Sequence, residues 1–237
     1  MATDARTPIA ADPSRVADLL QAWLARALAP QAADWLAGEI AVQSAAPDER
    51  RLGGALALVR RKVGRAELSL APEDCSAAHA ARADWQPQTW GTDDAARVAL
   101  LLVSYRDDAQ AFAARVERLC AMAEVAEYVA YLKGFAVFPA PRELHARARE
   151  GVRSSMRPVF EAIACNNPYP LDFFDEAGWN QMVVKCVFVG APIETITGLH
   201  RRRNAELVQM LRDLVSERSA AGRPLPDAVH RYIVGDA

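Results

Sequence analysis

The chain has 237 residues, with 51% hydrophobic and 24% charged content and a net charge of -2 from 28 Lys+Arg against 30 Asp+Glu. So large an apolar share excludes a disordered tail, no stretch reaches the ~20 apolar residues of a membrane span, and the near-balanced charge provides no basic field for nucleic acid. Roughly a fifth of the chain is Ala, the best helix former, while β-branched residues and Gly are scarce, which predicts an all-helical protein.

In chain order, Asp12 and Pro13 open a helix to about Leu28, with Val16, Leu20, Trp23 and Leu24 forming one apolar stripe and Pro30 ending it. Further helices are expected over Ala32 to Ser44 and Asp48 to Val63. The second is basic along one side through Arg50, Arg51, Arg60, Arg61 and Lys62, read as a solvated face. Residues 64–91 lose periodicity and read as a long ordered loop with a short helix near Ala77 to Ala83. Thr92 is expected to cap a helix to Tyr105, with Asp93 and Asp94 in its first turn. Helices near Asp108 to Ala121, Glu124 to Phe138, Arg142 to Arg153 and Pro158 to Cys165 follow. Asp172 is expected to cap a long helix through Val189, with Asn204 capping the last long one to Ala221. A single helical turn and a frayed end follow Pro226. Short links between helices of ten to fifteen residues predict one domain over residues 1–237, stacked either as a bundle or as a solenoid of hairpins; helix length and count, without a clean sequence period, favour an α-α superhelix like HEAT or armadillo repeats.

Residues Asn166-Asn167-Pro168-Tyr169-Pro170 form a rigid break, with Tyr169-Pro170 a candidate cis bond. Beyond it Trp179, Met182, Val183 and Cys186 fall at the spacing of a buried stripe, and Asn180, Gln181 and Lys185 lie within the same apolar stretch. Buried amides and an ammonium need partners. Either they bond to groups on adjacent helices, such as Glu161, or they floor an apolar pocket where Lys185 meets a carboxylate, phenolate or carbonyl of a ligand. The candidate ligand-binding residues are therefore Asn167, Tyr169, Trp179, Asn180, Gln181 and Lys185. No catalytic residue is assigned, and Lys185, Glu161 and Tyr169 are the acid–base candidates should the protein be an enzyme.

Asn167-Pro168-Tyr169-Pro170, Trp179 to Lys185, Asp93-Asp94-Ala95-Ala96-Arg97 and Arg157 to Ala164 resemble the EboA family, a bacterial metabolite-traffic group, most specifically over residues 155–224. The chain departs from the family pattern at Val184 and Cys186, where Leu or Ala is common, and at Val189, where Asn is common. The resemblance implies an all-helical solenoid that helps to move or hand over a secondary-metabolite precursor. It implies as partners an apolar or aromatic small molecule and enzymes of the same gene cluster, including a membrane prenyltransferase. It carries no catalytic residues. An enzyme acting on the metabolite, or a helical scaffold for a partner protein, are the alternative readings.

His79, His145, His200 and His230 are scattered, and Cys75, Cys120, Cys165 and Cys186 contain no CxxC pair, so no metal site is expected and the thiols are read as reduced. No P-loop, GxSxG elbow or GxGxxG fingerprint occurs, hence no cofactor is expected. A helix-turn-helix over Val183 to Leu214, with Arg201-Arg202-Arg203 as phosphate clamp, is disfavoured by the charge; the triplet reads as a solvated loop. Residues 1–11 lack the basic-then-apolar profile of a signal peptide, and the expected location is the cytoplasm, with no membrane insertion.

Overall fold

The computed structural model describes residues 11–235; the stretch read for a signal peptide lies outside them except for Ala11, as do the last two residues of the tail. Thirteen α-helices are present among these residues: α1 (Pro13–Ala27), α2 (Pro30–Ala45), α3 (Glu49–Val63), α4 (Pro72–Ala81), α5 (Thr92–Val103), α6 (Ala109–Met122), α7 (Val125–Gly134), α8 (His145–Arg153), α9 (Arg157–Ala164), α10 (Tyr169–Phe173), α11 (Glu176–Phe188), α12 (Ala205–Ala220) and α13 (Asp227–Val234). The fold is all-α, and no described helix is long and apolar enough to cross a membrane.

Side-chain caps set several of the starts. Asp12, Asp48, Asp108 and Asn204 each accept a backbone N–H from the first turn of the helix they precede, which satisfies donors that have no intrahelical partner. Pro30 opens α2 rather than merely closing α1, since a proline at the first helical position sacrifices no hydrogen bond.

Helix α5 is the centre of the molecule. Residues from Thr92 through Leu102 are all buried, and the helix packs against α1, α2, α3 and α7. Ala95, Ala96 and Ala99, fully buried, keep its girth small enough for neighbours on all sides. From there α7 packs on α9, α9 on α8 and α10, α11 on α12 and α12 on α13. Sequential helices touch at α2/α3, α8/α9 and α11/α12, whereas the N-terminal helices α1, α2 and α3 gather around α5.

Residues 64–91 are more ordered than their lapsed periodicity suggests. They contain α4, ten residues long, and a short 3-10 turn at Pro87–Thr89. Glu67 and Gly91 form an isolated antiparallel bridge, with Thr92 N donating to Ala66 O (2.8 Å) and Leu68 N to Trp90 O (3.1 Å). Trp85 sits between Trp23 and Trp90, at ring-centroid distances of 5.6 and 5.7 Å, and pins the segment to α1. The short helix expected near Ala77 to Ala83 is longer and starts earlier, at Pro72; its start escaped periodicity because only Ala78 of α4 is buried, so it carries little apolar contrast.

The structure corrects four further expectations. Gly91, not Thr92, occupies the cap position of α5. The break after α9 continues into α10, so that Asp175 rather than Asp172 caps the next helix, accepting from Gly178 N (2.8 Å). All peptide bonds of the described residues are trans, including Tyr169–Pro170. The tail after Pro226 forms two turns, α13, and not one.

Candidate functional site

The Asn-Asn-Pro-Tyr-Pro break is a stitch between helices. Asn166 takes a left-handed conformation (φ 51°), which Asn tolerates better than most residues, and its N–H donates to Thr195 O at 2.7 Å. Asn167 is buried; its Nδ2 donates to Leu132 O (3.1 Å) and Ala162 O (2.9 Å), while its Oδ1 accepts from Tyr169 N (3.0 Å). The Tyr169 hydroxyl donates to Pro141 O at 2.6 Å, and burial pushes this phenol above its ordinary range. Every one of these groups has a partner within the protein.

The residues of α11 divide. Trp179 is fully buried with the Arg202 guanidinium stacked 4.7 Å from its ring centroid. Asn180, also buried, exchanges amide hydrogen bonds with Asn204, whose Nδ2 donates to Asn180 Oδ1 at 2.9 Å. Lys185 is half-buried; its Nζ donates to Ser154 O (2.7 Å) and lies 5.4 Å from the Phe160 ring, and burial lowers its pKa. Glu161 is not its partner, because Arg157 takes that carboxylate at 2.8 Å. Gln181 is exposed, which overturns the expectation that all three polar groups of this helix are shielded. With Lys185, Arg149 and Gly178 it borders a small cleft of about 210 Å³ between α8 and α11.

The arginine triplet is likewise not a free, solvated loop. Arg202 donates to the carbonyls of Pro170, Leu171 and Phe174, Arg203 to those of Tyr232 and Ile233, and Arg201 pairs with Asp84 at 2.9 Å. It clamps α10 and the end of α13 to the loop before α12.

The larger hollows lie elsewhere, along the outer face of α7. Val125, Val129 and Lys133 recur every fourth residue, so they share one face, with Ala126 beside them. This face floors a cleft of about 520 Å³ whose walls include Trp90, Gly91, Asp93, Asp94, Arg65 and Pro158. An adjoining hollow of about 400 Å³ shares Thr89, Val129, Lys133 and Pro158 with it and extends to Glu161, Cys165 and Thr195. Both fall within the size range of sites for small molecules, about 300–1,000 Å³.

Local chemistry fixes the polar groups of this cleft. Asp94 stands in the first turn of α5, where its Oδ2 accepts from Gly91 N at 3.0 Å and from Lys133 Nζ at 2.5 Å. Asp93 turns the other way, onto Arg97 one helical turn later, at 3.1 Å. Val125 remains 46% exposed, an apolar floor open to solvent beside a fixed ion pair. Lys133 is one of only three lysines, and Asp93, Asp94 and Arg97 belong to a stretch that carries the family resemblance, so each was individually conspicuous. Their meeting across 39 residues of chain was not. Asn167, Tyr169, Trp179 and Asn180 do not border these hollows.

The family comparison bears on the whole of this architecture. The sequence matches the family model described as metabolite traffic protein EboA over residues 16–234, which takes in every helix but the first turn of α1. Neither a curated protein nor a solved structure matches the chain. Since the match runs from α1 to α13, the chain belongs to the EboA family.

Proposed function

We propose that the protein binds a small, largely apolar metabolite in the cleft along α7 and hands it on without transforming it. The observation that carries this reading is the α7 face itself. Val125, Ala126 and Val129 present an open apolar floor, bounded by the Trp90 and Pro158 walls and closed at one end by the Lys133–Asp94 pair. A few fixed polar groups around an apolar surface orient a ligand without reacting with it. The family description, metabolite traffic, supports the same role. Handover implies a receiver, and the gene-cluster association of the family suggests biosynthetic enzymes, a membrane prenyltransferase among them, for that part. Gln181 and Lys185 at the α8/α11 cleft are a second place where a ligand carbonyl could be met, favoured by the exposure of Gln181.

The test uses N-phenyl-1-naphthylamine, a neutral dye that fluoresces on entering apolar sites. Wild-type protein is expected to bind it, and Val125→Glu to weaken binding at least about tenfold by placing a charge on the exposed floor, with the melting temperature little changed. Equal binding by both proteins would mean that the dye sits elsewhere and would overturn the α7 site.

A further inference from the structure

The α7 cleft does not stop at Val125. Past Arg60 and Ala126, which border both spaces, it opens into a hollow of about 580 Å³ between α3, α5 and α7, walled by Arg60, Arg61, Arg97, Met122, Glu124 and Glu127. Arg97 is the unusual member. It is 2% exposed, its Nη1 donates to Asp93, and its buried Nε has no hydrogen-bond partner among the described residues. A buried guanidinium with an idle donor is costly, and native proteins rarely leave one unless something else meets it.

The surroundings suit an anion with an apolar body. Arg60 and Arg61 end α3, exposed and without an ion pair among the described residues, so their forks are free to turn inward. Of the two acids, Glu127 already accepts the Glu124 N–H at 3.0 Å, and Glu124 lies exposed. Met122, 78% exposed, adds apolar surface at the mouth.

We propose that this hollow is an oxyanion subsite of the metabolite cleft, holding a carboxylate or phosphate of the ligand against Arg97, Arg60 and Arg61 while its apolar body follows Val125 and Val129. Planar guanidinium groups match both anions in a bidentate manner. The inference rests on the α7 cleft being the metabolite site, and it narrows the ligand to an apolar acid.

Two dyes of similar aromatic body separate the two ideas: 8-anilinonaphthalene-1-sulfonate, an anion, and neutral N-phenyl-1-naphthylamine. Wild type is expected to bind the anion at least about tenfold more tightly, and an Arg61→Ala variant, which touches the hollow but not the cleft, to lose most of that advantage without a change in binding of the neutral dye. Arg61 is exposed, so the fold is retained; Arg97→Gln, which removes the buried charge, is expected to show the same loss. Displacement of the anionic dye by benzoate alone identifies a carboxylate ligand, by inorganic phosphate alone a phosphate; failure of both overturns the subsite. Neutral-dye binding with no arginine dependence of the anion sinks the subsite and leaves the cleft. Arginine-dependent anion binding without neutral-dye binding leaves an anion site but removes the cleft, and with it the reading of the ligand as an apolar acid.

Discussion

Replacing Arg82 with Met is expected to lower the unfolding free energy by about 3–5 kcal/mol, the cost of breaking a buried ion pair from one side. Arg82 ends α4 and is 6% exposed; it donates to the Asp172 carboxylate, to Ala136 O (3.0 Å) and to Ala83 O (2.9 Å). It thus joins the 64–91 segment, the end of α7 and α10 at one point. The substitution leaves Asp172, itself largely buried, as an uncompensated charge. An Arg82→Met/Asp172→Leu double variant removes both charges and is expected to recover a large part of the loss, because two apolar groups need no partner. Urea denaturation followed by circular dichroism measures both. A loss under about 1 kcal/mol in the single variant would mean that water screens the pair, contrary to its burial.

Arg202→Ala is expected to cost about 3–4 kcal/mol, or roughly 6–8 °C in melting temperature for a chain of this size. Three carbonyls, those of Pro170, Leu171 and Phe174, share one Arg202 nitrogen, at 2.8 to 3.3 Å, and the guanidinium plane covers Trp179. Burial lowers the pKa of this guanidinium, so its retention in the fold reflects those four contacts. Arg202→Lys keeps the charge but not the planar fork, and is expected to regain less than half of the loss. Thermal melts of the three proteins side by side are sufficient. A lysine variant as stable as wild type would reduce the clamp to a point charge.

These two arginines show what the sequence did not disclose. The caps Asp12 and Asn204 were legible because a cap is local, its residue, helix and donor lying within four positions, although Thr92 and Asp172 missed the observed caps by one and three residues. The apolar stripes of α1 and α11 were legible for the same reason. Arg82 and Arg202 find partners 90 and about 30 residues away, and nothing in a run of arginines distinguishes a solvated side chain from one that satisfies three carbonyls. Gln181 failed in the opposite direction. Its valine neighbours suggested burial, yet on α11 it turns outward while Asn180, one position earlier, turns in. The cleft was half visible: Lys133 by rarity and Asp93, Asp94 and Arg97 as a motif. Its apolar floor on α7 was hidden, because the sequence alone does not separate an exposed valine such as Val125 from a buried one.

The position of α5 has a bearing on how the molecule moves. Enclosed by α1, α2, α3 and α7, its amides cannot reach deuterium through any local excursion that leaves those four helices in place. They are expected to be the slowest-exchanging in the protein, with protection matching the full unfolding free energy. Because α7 also builds the cleft floor, a ligand that ties α7 down slows the same deuterium clock, and occupancy of the surface can be read from the most secluded helix.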